Sequence, residues 1–323
     1  MQHDTTIPVT ILTGFLGSGK TTLLNYLIEN NPDKKFAIIE NEFGDINIDR
    51  DLVVGADESV FELSNGCICC TLNDELVTVL RGLLHSGKEF NHLIIETTGM
   101  AEPGSVAETF VSDPGIQSVF RLDGTIGLAD AAHLSSVLEE REEARKQITF
   151  ADYLLLNKAS DTDADTLAAV KARLRTMNPF APIEEVNFAA TKQDLLHLQA
   201  YAADRTEQNI GQAAAHTHTH KHDHINDVVS HSFTFSEPFD FMKFLHWSNV
   251  LLKVQGKNLY RVKGILHFHG EPEKMIFQSV QTTAAFSRGN KWLPGEVRES
   301  RLVFIGKGLK RHAFERALRG LLK

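Results

Sequence analysis

Between an apolar run, Val9-Thr10-Ile11-Leu12, and a helix-patterned one, Thr22-Leu23-Leu24-Asn25-Tyr26-Leu27-Ile28, lie eight residues that leave the chain few folds to choose from: Gly14-Phe15-Leu16-Gly17-Ser18-Gly19-Lys20-Thr21. The spacing Gly-x-x-x-x-Gly-Lys-Thr is that of a strand-to-helix turn whose backbone wraps phosphate oxygens. Exposed N–H groups and the positive end of the following helix favour an anion there. In this reading Gly14, Gly17, Ser18 and Gly19 form the cradle. Lys20 reaches the β- and γ-phosphates, and the Thr21 hydroxyl ligates magnesium.

Such a turn belongs at the end of a strand in a parallel sheet, and the chain supplies the rest. From Ile7 to about Val186 short β-branched runs alternate with helical patterns: Phe36–Ile39, Leu93–Ile95, Thr125–Ala129, Tyr153–Leu156 and Pro182–Val186. Near-continuous apolarity suits strands covered on both faces. The expected fold class is therefore α/β, a mostly parallel sheet flanked by helices over residues 1–205. A polar, His-rich linker is expected over 206–226, and a smaller α+β domain over 227–323. In that last part Val228–Phe235, Tyr260–His269, Met275–Phe286 and Leu302–Ile305 read as strands, and Phe239–Leu252 and Arg311–Leu322 as helices.

Charge separates the two parts. Residues 227–323 hold sixteen Lys and Arg against eight Asp and Glu, a net +8, which leaves −17 for the other 226 residues of a chain whose total is −9. An acidic balance opposes non-specific attraction to nucleic acid, which needs clustered cations. No apolar run approaches the ~20 residues of a membrane-spanning helix, so no membrane partner is expected. All three cysteines fall between Cys67 and Cys70, a clustering that points to a reducing compartment, hence the cytoplasm, and to metal or redox work at one place.

Polar motifs follow four of the expected strands, where open α/β sheets bind ligands. Glu96 ends Leu93-Ile94-Ile95-Glu96 and is the candidate magnesium carboxylate, acting through water. Gly99, in Glu96-Thr97-Thr98-Gly99, can bring its N–H against a γ-phosphate. Asn157-Lys158 resembles the Asn-Lys-x-Asp reader of guanine, with Ser160 in the fourth position and the carboxylate one residue late at Asp161; GTP is expected over ATP. In Gly66-Cys67-Ile68-Cys69-Cys70, three thiolates suit zinc and leave one position for a carboxylate, with Glu40 and Glu42 the candidates. Asp49 is assigned to magnesium or to a hydrolytic water.

Taken together, Gly14–Thr22, Glu40-Asn41-Glu42-Phe43-Gly44, Asn65-Gly66-Cys67-Ile68-Cys69-Cys70 and Glu96-Thr97-Thr98-Gly99-Met100-Ala101-Glu102-Pro103 resemble the CobW-like family of P-loop GTPases. The resemblance implies a P-loop NTPase fold with a CobW-type C-terminal domain, hydrolysis of GTP to GDP and phosphate, and binding of zinc and sometimes other transition metals. It also implies delivery of metal to a client metalloprotein. It places the nucleotide role on Gly14 to Thr22, with Glu96, Gly99, Asn157 and Lys158. The metal role falls on Cys67, Cys69, Cys70, Glu40 and Glu42. A homo-oligomer stays open.

His216, His218, His220, His222 and His224 stand at every second position and read as a metal-gathering tether that raises the local metal concentration beside the thiolates. Two other readings survive at this level. One is a zinc store whose nucleotide only stabilises the fold, the other a P-loop kinase acting on a small molecule with ATP.

Overall fold

The computed structural model describes residues 5–40, 60–62, 72–216 and 228–323. The chain divides into two compact units. One comprises Met1–Ala172 with Ala181–Gln199, the other Arg173–Phe180 with Ala200–Lys323.

Among the described residues the first unit holds seven strands: β1 (Ile7–Gly14), β2 (Phe36–Glu40), β3 (Val60–Glu62), β4 (His92–Glu96), β5 (Phe120–Asp130), β6 (Tyr153–Asn157) and β7 (Ile183–Glu185). They lie in the order β3-β2-β4-β1-β5-β6-β7 and every pairing is parallel. Each crossover therefore needs a connection long enough to return to the starting edge, and helices supply it. These include α1 (Lys20–Glu29), α2 (Leu72–His85), α3 (Pro103–Ser112), α4 (Pro114–Gln117), α5 (Leu134–Glu140), α6 (Glu142–Phe150) and α7 (Ala164–Met177). All five residues of β2 and of β4 are buried, as strands covered on both faces require. Leu12, Leu23, Leu24, Leu27, Ile38, Ile94, Ile126 and Leu155 form one continuous core between α1 and the sheet. The chain moves to one side of β1 for β2 to β4 and to the other for β5 to β7. The carboxyl end of β1, where the Gly-rich turn begins, is thus a topological switch point.

At the opposite end of the sheet, His92 is fully buried with its Nε2 2.9 Å from Thr10 Oγ1 and its ring edge-on to Phe36. Burial pushes its pKa down to about 3, with the nearby Lys34 charge adding to the effect. The unfolded chain takes up this proton near the ordinary value of about 6.5. The stability due to the neutral ring is therefore complete above that pH and is lost as pH falls toward about 3. By pH 4.5 the expected loss from this group is about 2–3 kcal/mol relative to pH 7. Urea midpoints of the transition that unfolds the parallel sheet check it. His92→Gln should flatten the acid limb, and an unchanged limb would contradict the assignment.

The second unit carries α8 (Ala203–His216), β8 (Val228–Phe235), α9 (Phe241–Gln255), β9 (Leu259–Leu266), β10 (Glu273–Val280), β11 (Thr283–Lys291), β12 (Ser300–Lys307) and α10 (Arg311–Arg319). The sheet is antiparallel in the order β11-β10-β9-β12-β8. On one face a phenylalanine cluster, Phe233, Phe239, Phe244, Phe268, Phe277, Phe304 and Phe314, packs in largely edge-to-face pairs with α9 and α10. On the other, Ile210 of α8 is buried with Tyr260, Ile265 and Trp292.

Two expectations are corrected here. The stretch expected to be linker from residue 206 is helical as far as His216, because Ala213-Ala214-Ala215 and the surrounding Arg, Glu and Gln are good helix formers and Ile210 anchors the helix in a core. The run Met275–Phe286 is a hairpin, turning at Gln281 with φ +51°. Among the described residues no helix is long and apolar enough to cross a membrane.

Candidate functional site

The Gly-rich turn is held from below by one side chain. Asn157, at the end of β6, donates from Nδ2 to the Ser18 carbonyl at 2.9 Å and accepts the Ala189 N–H on Oδ1 at 3.0 Å. It ties the turn to the loop after β7. Gly19 sits at φ +104°, and a Cβ there would lie 2.5 Å from that same Nδ2, so only glycine lets the brace close. Gly14 ends β1, Gly17 is exposed at the tip, and Ser18 is buried. Lys20 and Thr21 open α1, which places the buried Lys20 ammonium where the helix's positive end already favours phosphate. Thr22 follows on the same first turn.

Across β1 stands the carboxylate. The Thr21 hydroxyl donates to Glu96 Oε1 at 3.3 Å, bringing together two hard oxygen donors from the Gly-rich turn and the end of β4. This pair fits magnesium. Thr97 is pinned to β1, its N–H and Oγ1 both reaching the Leu12 carbonyl at 2.9 and 3.1 Å. Gly99 then abuts the turn so closely that a Cβ would lie 2.6 Å from Leu16 Cγ and 2.7 Å from Leu16 N.

One strand further out, Glu40 is buried and pairs in register with Glu96. Glu62, which the motif reading passed over, pairs in register with Glu40. Three glutamates therefore occupy one row at the carboxyl ends of β3, β2 and β4. Cys67, Cys69 and Cys70 follow Glu62 in the chain but lie outside the described residues, as do Glu42, Asp49, His218, His220, His222 and His224. His216 closes α8, the first of the helices given for the second unit. Among the described residues no group of three or more His, Cys, Asp or Glu is gathered to hold a metal.

On the far side of the turn, Lys158 adopts φ +59° and its ammonium meets Asp130 Oδ2 at 2.7 Å. Burial pushes Asp130 up, but hydrogen bonds from Lys158 and His133 and the Lys158 charge outweigh it and hold the carboxyl below its ordinary range. Asp161 lies exposed in the 3-10 turn Ala159–Asp161 and accepts from Ser160 Oγ at 3.1 Å. The Ser160 N–H donates to Asn187 Oδ1 at 2.9 Å. Next to Asn187, Phe188 is 85% exposed at φ +52°, a backbone conformation costly for an aromatic residue. It faces Thr21, Thr22, Asn25, Tyr26 and Glu29 across an open cavity of about 370 Å³. Motif reading missed Phe188; the signal available was an aromatic residue beside Asn187 directly after the last strand.

A parallel sheet with a Gly-x-x-x-x-Gly-Lys-Thr turn at its switch point, faced by a strand-end carboxylate on the Thr hydroxyl, defines a P-loop NTPase. Residues 8–185 match the model of the CobW/HypB/UreG nucleotide-binding domain, and residues 228–322 match the cobalamin synthesis protein CobW C-terminal domain. The chain belongs to the CobW/HypB/UreG family. It is 35% identical, over 98% of its own length and 99% of the relative's, to the zinc chaperone YjiA of Escherichia coli. To the zinc chaperone CobW of Pseudomonas aeruginosa it is 32% identical, over 98% and 92% of the two chains. The crystal structure of Zn(II)-bound YjiA GTPase from E. coli superposes with a TM-score of 0.78 at 30% identity, covering 98% of this chain and 99% of that one.

Proposed function

We propose that this protein is a GTPase that hydrolyses GTP to GDP and phosphate and couples its nucleotide state to the transfer of zinc to a client metalloprotein in the cytoplasm. The observation that carries the reading is the carboxylate row. Glu96 touches the Thr21 hydroxyl of the nucleotide cleft, Glu40 is its register neighbour on β2, and Glu62, the register neighbour of Glu40, ends the strand that the cysteine segment follows in the chain. Relatives named zinc chaperones over nearly the full length support the zinc half.

In this mechanism the amides of Gly17 to Thr21 and the Lys20 ammonium hold the phosphates and stabilise the negative charge that grows on the β–γ bridge. Water attacks the γ-phosphorus; its oxygen forms the new P–O bond as the bond to the bridging oxygen breaks, GDP carries away the electron pair, and the water passes one proton to an oxygen of the departing phosphate. Thr21 and Glu96 are the residues that would hold magnesium, which would neutralise phosphate charge there. Gly99 senses the γ-phosphate. Asp49 orients the water or assists magnesium. Lys158 and Asp161 address the base, and the exposed ring of Phe188 gives it an apolar neighbour. Zinc is cargo: Cys67, Cys69 and Cys70 supply the thiolates and Glu40 or Glu42 the remaining ligand, with His216 to His224 gathering metal nearby.

Phosphate release measured in parallel with GTP and with ATP tests the enzymatic half. The expected result is turnover of GTP with ATP a poor substrate. Turnover of ATP alone, with phosphate passed to a small molecule, would favour a kinase instead.

A further inference from the structure

The segment that follows Glu96 is gripped from a helix that carries no recognisable motif. Gln147 of α6 is 1% exposed, and its Nε2 donates to the Gly99 carbonyl at 3.0 Å and to the Ala101 carbonyl at 3.1 Å. The amide can face only this way, because its oxygen turned toward two carbonyls would be repelled. One residue earlier on the same helix, the Lys146 ammonium meets Glu102 Oε1 at 2.5 Å. Burial, the largest single influence, lowers the Lys146 pKa, but hydrogen bonds to Glu102 and Glu142 and their charges outweigh it and raise it. Two adjacent α6 residues thus hold three points within Gly99–Glu102.

The grip bears on the P-loop itself. Gly99 is in contact with Leu16, and Gln147 lines a cavity shared with Leu16, Gly17 and Ser18. In a planar trans peptide the C=O and N–H point in opposite directions. Fixing the Gly99 carbonyl on α6 therefore turns the Met100 N–H away from that helix, and fixing the Ala101 carbonyl does the same for the Glu102 N–H. Any movement of Gly99 away from α6 stretches or exchanges these bonds.

We propose that Gln147 is a positioning residue for GTP cleavage, setting through the Gly99 and Ala101 carbonyls how the loop after Glu96 meets the γ-phosphate. This rests on the reading of Glu96–Gly99 as the γ-phosphate sensor. Turnover by the unsubstituted protein tests that reading, and substitutions at residue 147 test this one.

Gln147→Leu keeps the apolar stem and removes both donors. Expected is a fall in kcat of about tenfold to a hundredfold, with GDP affinity held within about twofold because the two bonds removed end on Gly99 and Ala101 and not on a P-loop residue. Hydrogen exchange at the amides of Thr98 to Glu102 should quicken. Gln147→Glu gives a second, pH-dependent readout. The introduced carboxyl donates to a carbonyl only when protonated, so the ratio of its kcat to that of the unsubstituted enzyme should rise as pH is lowered. A kcat within about twofold of the original, a parallel loss of GDP affinity, or a pH profile unaltered by Gln147→Glu would each overturn the proposal.

Discussion

Replacing Lys20 with Ala should lower GTP hydrolysis by about 10²–10³-fold, the cost of deleting one preorganised charge partner of the transition state. Lys20 is the first residue of α1, buried, and set where the Gly-rich turn presents its amides. The other lysine near the turn, Lys158, is already engaged with Asp130 and holds the far wall, so it is poorly placed to substitute. The fold should survive, since β1, α1 and the core between them rest on Leu12, Leu23, Leu24 and Leu27. Single-turnover phosphate release at saturating GTP measures the effect apart from binding. A loss of less than about tenfold would mean that Lys20 does not face the transferred phosphate.

The second large effect is expected at the thiols. Changing Cys69 and Cys70 together to Ser removes two of the three thiolates, and structural zinc sites owe about 10–16 kcal/mol to four ligands of this kind. A drop in zinc affinity of more than about 10³-fold follows. GDP binding should be unaffected, because the nucleotide cleft is built from the Gly-rich turn, with Thr21 on Glu96 and Asn157 on the Ser18 carbonyl. Competition against a zinc chelator, with GDP titration alongside, separates the two readouts. Retained zinc affinity would place the metal elsewhere, with the histidine string the next site to test.

What could be read in the amino-acid order was what depends on neighbours in the chain. The phosphate turn, the buried strands and the Glu96-to-Gly99 segment are each written within ten residues, as apolar runs closed by a polar motif. Glu62 was not legible, because its place beside Glu40 follows from β3 pairing with β2, a long-range choice. Gln147 sits in a helix with no motif at all and acts through two backbone carbonyls that no residue type reveals. The base-reading motif marks Asn157, but nothing in the motif shows that its amide braces the P-loop against the loop after β7, a contact between residues far apart in the chain. Helix α8 was hidden because a polar, Ala-rich stretch carries little apolar periodicity, and one of the residues it buries, Thr206, is polar like its exposed neighbours. The hairpin at Gln281 lacks the Gly or Asn that normally announces such a turn.

If Glu40 and Glu96 make the thiolate segment and the nucleotide cleft parts of one device, occupancy at one must alter affinity at the other, and by the same factor in both directions. Zinc affinity measured by chelator competition in nucleotide-free, GDP-bound and non-hydrolysable GTP-analogue states, with nucleotide affinity measured reciprocally with and without zinc, is the direct test. The expected result is a shift of about 5- to 150-fold between the GDP and GTP-analogue states, mirrored in the reciprocal titration. Identical zinc affinities in all three states would contradict the coupling and leave a protein that stores zinc beside an indifferent nucleotide.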